Sequence, residues 1–244
     1  MTTITKLKKP TPLPRHDMFV VVCLMTSEAT AYTCLFPFVP FMVRTFDVDE
    51  ENVGLYSGWI ASSFMIGQLM TAFLWGWLSD RIGVRPVMLL GLGSTVVCTI
   101  LFGFCMNLTQ AIIARFTLGF LNGNVGVAKT FVGLITDETN EARAFGMMSV
   151  CWGAGSIIGP SIGGLLAQPA NQFPDAFPPG SLFAVYPFLL PCLVTAMFPL
   201  VGFVFGLRYL SEPPRTGPPP QPPDPPPHVP LGPRIRSRAN QPCA

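Results

Sequence analysis

Six stretches of the chain, residues 18–43, 53–78, 87–105, 110–135, 143–167 and 182–207, are dominated by apolar side chains. Short polar stretches carrying nearly all the charge separate them. At about 1.5 Å of rise per helical residue, each run is long enough to cross a hydrocarbon layer roughly 30 Å thick. Strand-like alternation is absent, and a backbone in lipid must bond within its own segment, so the pattern predicts six membrane-spanning helices. The first run is too long for a signal-peptide core and no small-residue cleavage site follows it, so it is expected to remain as a span. The organisation expected is an N-terminal tail over 1–17, a six-helix bundle over 18–210 and a second tail over 211–244. Thirteen of the 27 prolines lie in that last stretch, which has almost no aliphatic residues to bury and is expected to be extended and disordered.

Composition sharpens this reading. Half of the residues are hydrophobic, only 11% are charged, and the mean hydropathy is +0.47. The charged share is less than half of the usual quarter, which excludes an ordinary soluble enzyme. A net charge of +2 gives no footprint for nucleic acid. Six of the seven cysteines lie inside apolar runs, where they read as small packing residues and not as a disulfide framework. Both histidines, His16 and His228, lie in the tails, and neither a metal-ligand cluster nor a nucleophile beside a base is legible. The expectation is therefore no cofactor, no metal and no catalysis.

Assigning the loops alternately to two sides places twelve basic residues on one, among them Arg15, Arg81, Arg85, Arg143 and Arg208, and only Arg44 on the other. The positive-inside rule then puts both termini in the cytoplasm. No targeting motif distinguishes a vacuolar from a plasma membrane.

An ionisable residue near the bilayer centre costs roughly 2.5–3.5 kcal/mol, so Glu28, Arg115 and Lys129 are expected to face a protein interior or a water-filled path. Glu28 lies near the middle of the first run with Tyr32 one turn further on the same face. A glutamate there can take up and release a proton, or it can serve as a structural carboxylate bonded to a neighbouring helix. In the fourth run Arg115, Gly119, Asn122, Gly126 and Lys129 recur at spacings of four, three, four and three. On an ideal helix they fall within an arc of about 80° and form one polar, small-residue face, with Asn124 pointing elsewhere. That face either lines a cavity or packs on another helix, and Lys129 can also snorkel to the cytoplasmic surface. Gln68, Ser62 and Ser63 read first as interhelical hydrogen-bonding groups, with solute binding as the other use.

Three motifs carry a resemblance. After the second run Gly76, Asp80, Arg81, Gly83 and Arg85 make a tight turn followed by Pro86. Asp80 can accept there from a helix N-terminus or a basic neighbour. The turn resembles the signature loop of the major facilitator superfamily, where it acts as a gating latch, although Val84 stands where a basic residue is usual. In the fifth run Gly146, Gly155, Gly159, Pro160, Gly163 and Gly164 are similar to the pattern that marks antiporters within that superfamily. Gly155, Gly159 and Gly163 share one face suited to close helix contact, and Pro160 removes a backbone donor. Arg115 to Gly119 resembles the superfamily's fourth-span motif, whose arginine is implicated in proton coupling.

Further stretches, residues 35–42, 58–67, 152–155 and 166–177, look like the zinc-induced facilitator-like group of drug and proton antiporters. There the positions of Glu28 and Lys129 are typically acidic and basic. The resemblance implies an all-α membrane protein that forms the N-terminal six-span half of a major facilitator fold. It also implies proton-coupled antiport of a small solute by alternating access, with Glu28, Arg115, Asn122, Lys129 and Gln68 on the path. Members of the superfamily hold their solute between two six-span halves. This half is thus expected to pair with a second copy or another six-span half, in a lipid bilayer. The alternative, of a different class, is a truncated non-transporting half that acts through interactions with other membrane proteins.

Overall fold

A computed structural model describes residues 11–178 and 180–212, and these are helical, with no strand among them. The long helices in chain order are α1 (Arg15–Thr33), α3 (Val53–Ile82), α4 (Val84–Gly103), α5 (Leu108–Phe120), α6 (Asn124–Ile135), α7 (Glu141–Leu166) and α10 (Leu189–Tyr209). Short helices α2 (Val39–Arg44), α8 (Pro169–Gln172) and α9 (Leu182–Val185) fill the connections. The proline-rich segment beyond Glu212, where the sequence predicts disorder, lies outside the described residues, as do residues 1–10 of the N-terminal tail.

Four helical stretches are long and apolar enough to cross a membrane: Val84–Gly103, Leu108–Ile135, Glu141–Leu166 and Leu189–Tyr209. α1 and α3 have the length, at 19 and 30 residues, but not the apolarity. Thr26, Ser27, Glu28 and Thr30 dilute the first, and Ser57, Ser62, Ser63 and Gln68 dilute the second. Ser27, Glu28, Thr30 and Ser63 are all buried, so this polarity is turned into the bundle.

Three of the predicted runs are broken. Proline cannot donate from its nitrogen and disfavours helix at the residue before it. Pro37 and Pro40 accordingly cut the first run into α1 and α2, with turns at Cys34–Phe38. The fourth run splits at Leu121–Gly123 and the sixth between α9 and α10. α3 and α4 are nearly continuous through Gly83, whose φ of 105° suits glycine and few other residues.

α1 is central: it packs on α7, α10 and α6, while α4 packs on α10 and α3 on α5. One apolar core, including Leu24, Met88, Leu92 and Phe131, lies toward the end where α1 starts. A second, including Phe38, Met42, Ile60 and Phe188, lies toward the other end. Polar groups of α1, α5 and α6 sit between them.

Candidate functional site

The break in the fourth run makes the site. Helix interruption leaves backbone groups without partners, and side chains from elsewhere satisfy them here. The indole nitrogen of Trp75 on α3 donates to the Phe120 carbonyl at 3.0 Å, at the end of α5. The Asn122 amide oxygen accepts from the backbone nitrogen of Asn124 at 3.1 Å, where α6 begins. Gly123 lies against the Trp75 ring so closely that a β-carbon would overlap it.

This local geometry turns both asparagines onto one carboxylate. Asn122 Nδ2 donates to Glu28 Oε2 at 2.6 Å and Asn124 Nδ2 donates to Glu28 Oε1 at 2.9 Å. All three residues are buried, and Glu28 is only 4% exposed. A carboxylate held this way, by neutral amide donors and no cation, can gain or lose a proton without stranding a countercharge.

Glu28 and Asn122 also line a cavity of about 560 Å³, together with Tyr32, Gln68, Gly126 and Trp152. Its walls come from α1, α3, α6 and α7, and its polar groups converge on an otherwise apolar lining. That is the composition of a small-molecule site.

Arg115 does not reach this cavity. It is 3% exposed and lines a separate small void with Cys34, Thr99, Cys192 and Thr195. Its guanidinium lies 5.1 Å from the Phe102 ring centre and 5.7 Å from that of Phe64, both within cation–π range. Thr195 donates to Cys34 Sγ at 3.2 Å in the same void. Among the described residues the ion pair is Arg44–Glu50, on the surface and remote from this region.

The single polar face expected along the fourth run is therefore divided. Arg115 occupies the inner void, Asn122 and Gly126 line the cavity, and Lys129 is exposed on α6 and lines neither. Asn124, which an ideal helix directs away, is in contact with Glu28, because the chain does not continue at 100° per residue through Gly123. Ser63 bonds the Ile60 carbonyl of its own helix at 2.9 Å, not another helix. Trp75 had no signal in the sequence beyond being aromatic. The Asn-Gly-Asn run at 122–124 was the available sign of the break.

The signature turn and the glycine pattern are also sorted. The acceptor at the α4 N-terminus is Glu212 and not Asp80: its carboxylate takes the Val84 and Arg85 backbone N–H groups at 2.8 and 3.0 Å. The Arg85 guanidinium donates to the Leu207 carbonyl at 2.9 Å, and Arg81 stacks on Trp77 at 4.4 Å. Gly76 has open space around it. On α7 the backbone at Gly155, Gly159 and Gly163 lies directly on α1 at Thr26, Thr30, Thr33 and Cys34. Gly146 faces open space and Gly164 only approaches Pro37, so neither belongs to this seam. Pro160 is accommodated inside α7. Among the described residues no group of three or more His, Cys, Asp and Glu side chains could hold a metal.

The profile of the Major Facilitator Superfamily matches residues 21–242. Protein ZINC INDUCED FACILITATOR-LIKE 1 of Arabidopsis thaliana is 42% identical over 197 residues, covering 80% of this chain and 41% of that protein. The Major facilitator superfamily multidrug transporter mfsB of Aspergillus fumigatus is 40% identical over 202 residues, covering 82% of this chain and 34% of its own length. The chain thus spans about 34–41% of the length of these two relatives. In fold it is similar to the human organic anion transporter MFSD10 (TETRAN), with a TM-score of 0.65 at 20% identity, covering 83% of this chain and 49% of that one. A bacterial homolog of the human lysosomal transporter Spinster, in an inward-facing and unoccupied conformation, also gives 0.65, at 17% identity over 85% of this chain and 45% of that one.

Proposed function

The chain belongs to the major facilitator superfamily, and on that premise we propose that it works as the N-terminal half of a proton-coupled antiporter for a small solute. In this reading α1 and α3 join the four apolar helical stretches to make six spans, with both termini on the cytoplasmic side. The observation that carries the proposal is the Glu28 carboxylate, buried on two amides and opening on a cavity of about 560 Å³. A proton on Glu28 competes with solute in that cavity, and exchange of the two across the membrane is antiport. Tyr32 and Gln68 supply polar contacts to the solute. Arg115, Lys129 and the turn around Asp80 act outside the cavity, in conformational coupling and gating. The name of the Aspergillus fumigatus multidrug transporter points to drug-like solutes as the class. Alternating access needs a partner for this half, either a second copy of the chain or another six-span half.

The test is flux in proteoliposomes carrying the purified chain and an imposed pH gradient, with a fluorescent organic cation and a fluorescent organic anion as probes. Gradient-dependent movement of either probe that Glu28→Gln abolishes supports antiport. A second reading, a non-transporting half that associates with other membrane proteins, rests on the exposed apolar helix faces, such as Leu69, Met70 and Phe73 of α3. Absence of flux from folded, membrane-inserted chain selects that reading.

A further inference from the structure

A groove at the opening of the bundle, remote from the Glu28 cavity, has a composition of its own. It encloses about 400 Å³ between the start of α1 and the start of α7, with Met18, Phe19, Val22 and Met147 as its apolar wall and Arg15 and Arg143 at its edge. Both arginines are exposed, and neither forms an ion pair among the described residues. Three nearby carboxylates are engaged elsewhere or directed away. Asp17 accepts from the Ser211 backbone at 3.0 Å, Asp137 accepts from Thr11 and Thr139, and Glu141 stands two residues before Arg143, on the opposite side of α7.

The level of the groove is set by its neighbours. Arg143 lies in the first turn of α7, which is long and apolar enough to span. The α10 terminus lies alongside, with Tyr209 stacked on His16 at 5.4 Å. Two spanning helices thus end where Arg15 and Arg143 sit, at headgroup depth. A second apolar cavity of about 280 Å³, between α1 and α10, shares Val22 with the groove and continues to Thr26. From Arg15 to Thr26 the helix rises about 16 Å, close to the depth of one leaflet.

We propose that this groove binds an anionic phospholipid, with its phosphate between Arg15 and Arg143 and an acyl chain along the Phe19–Val22 face of α1. A guanidinium group matches a phosphate by bidentate hydrogen bonding, two of them line this groove, and its apolar wall matches a hydrocarbon chain. Neither a free phosphate nor a soluble organic anion uses both features. A zwitterionic lipid brings its own cation toward two arginines and binds more weakly.

The experiment titrates the purified chain in detergent with dioleoyl phosphatidylglycerol or dioleoyl phosphatidylcholine, reading bound lipid by native mass spectrometry and the midpoint of thermal unfolding. The anionic lipid is expected to bind the wild type preferentially. Removing both charges, Arg15→Gln with Arg143→Gln, is expected to weaken it about twenty-five-fold, or roughly fivefold for each arginine near a membrane surface. Val22→Trp, which fills the groove and keeps both arginines, is expected to lose the bound lipid as well. If the double variant does not fold, Val22→Trp still decides. Equal binding of the two lipids, undiminished binding by Val22→Trp, or an equal loss from Arg208→Gln at the same surface overturns the proposal. Full protection by glycerol phosphate, which has no chains, also overturns it. Because the readout is binding, a failed flux assay leaves this test unaffected.

Discussion

Replacing Gly159 by valine attacks the seam between α7 and α1, and the structure gives the size of the effect. A β-carbon at Gly159 would overlap the Thr33 hydroxyl, which must rotate away, and would stand 2.8 Å from the Thr30 carbonyl oxygen and 2.9 Å from the Cys34 nitrogen of the fixed backbone. Non-bonded heavy atoms settle near 3.5 Å, so α7 must withdraw by roughly 0.6 Å. A gap of that size forfeits a quarter to a half of each contact's attraction, itself about 0.1–0.2 kcal/mol, along a seam of a few tens of atom pairs. The loss is about 1–2 kcal/mol before the γ-carbons are placed, and overpacking of this kind runs to about 3 kcal/mol. Gly146→Ala is the internal control. It lies on the same helix and in the same sequence motif, but nothing stands within 4 Å of its β-carbon position. Alanine there should raise stability by up to about 1 kcal/mol through helix propensity. Detergent-solubilised protein unfolded by heat or by added sodium dodecyl sulfate, followed by helical circular dichroism, reads both. A Gly159→Val midpoint at or above wild type, or an equal fall in Gly146→Ala, would refute the assignment of the seam.

Three further outcomes follow from single contacts. Asn124→Ala removes one of the two amides holding Glu28 and should lower stability by about 1.5–3 kcal/mol, the range for hydrogen bonds to charged groups; in a Glu28→Gln background the same change should lose distinctly less. Trp75→Phe keeps the packing on Gly123 and loses the donor to the Phe120 carbonyl, so a fall of about 0.5–1.5 kcal/mol is expected, with faster amide exchange around residues 120–124. Hydrogen bonds from the Thr11 and Thr139 side chains hold the Asp137 carboxyl down to about 2, against 3.8 ordinarily. Because its folded-state value is lowered, its contribution is complete above about pH 4 and disappears as pH falls through about 2. Amide protection at Thr11 should follow that course, and Asp137→Asn should lack it at every pH.

The helical architecture was legible because apolar run length is a strong signal, and the limits of the runs were less so because turns depend on a few residues. Pro37 and Pro40 lie at the break between α1 and α2, yet the apolar run continues through them to Val43 and reads as one span. α1 and α3 read as spans by length, yet their buried serines, threonines and Glu28 keep them below the apolarity of the other four. The membrane reading and the interior reading compete for the same residues, since a helix that places polar groups inside a bundle loses the uniform greasiness by which spans are recognised. On α7 the repeat of glycines was legible as a face, but only tertiary contact separates Gly155, Gly159 and Gly163, which touch α1, from Gly146 and Gly164, which do not.

At the site, Glu28 announced itself as a carboxylate in an apolar run, whereas its partners did not. Projecting residues 110–135 on one ideal helix joined Arg115 to Lys129 and sent Asn124 away. The break at Gly123 reverses both statements, and it is held by Trp75, 48 positions earlier in the chain, through a bond that no local pattern encodes. The consequence is chemical as well as geometric. A continuous stripe would have brought a cation and an anion into one channel, where each fixes the other's charge. Instead, Glu28 is solvated by two amides and Arg115 by the faces of two phenylalanines, with Phe64 contributing to both the Glu28 cavity and the Arg115 surroundings. A carboxylate stabilised by neutral dipoles can change state singly, because neutralising it leaves no buried counterion behind, while the Arg115 guanidinium keeps its charge. That independence suits Glu28 to the proton exchange proposed here better than a salt bridge would.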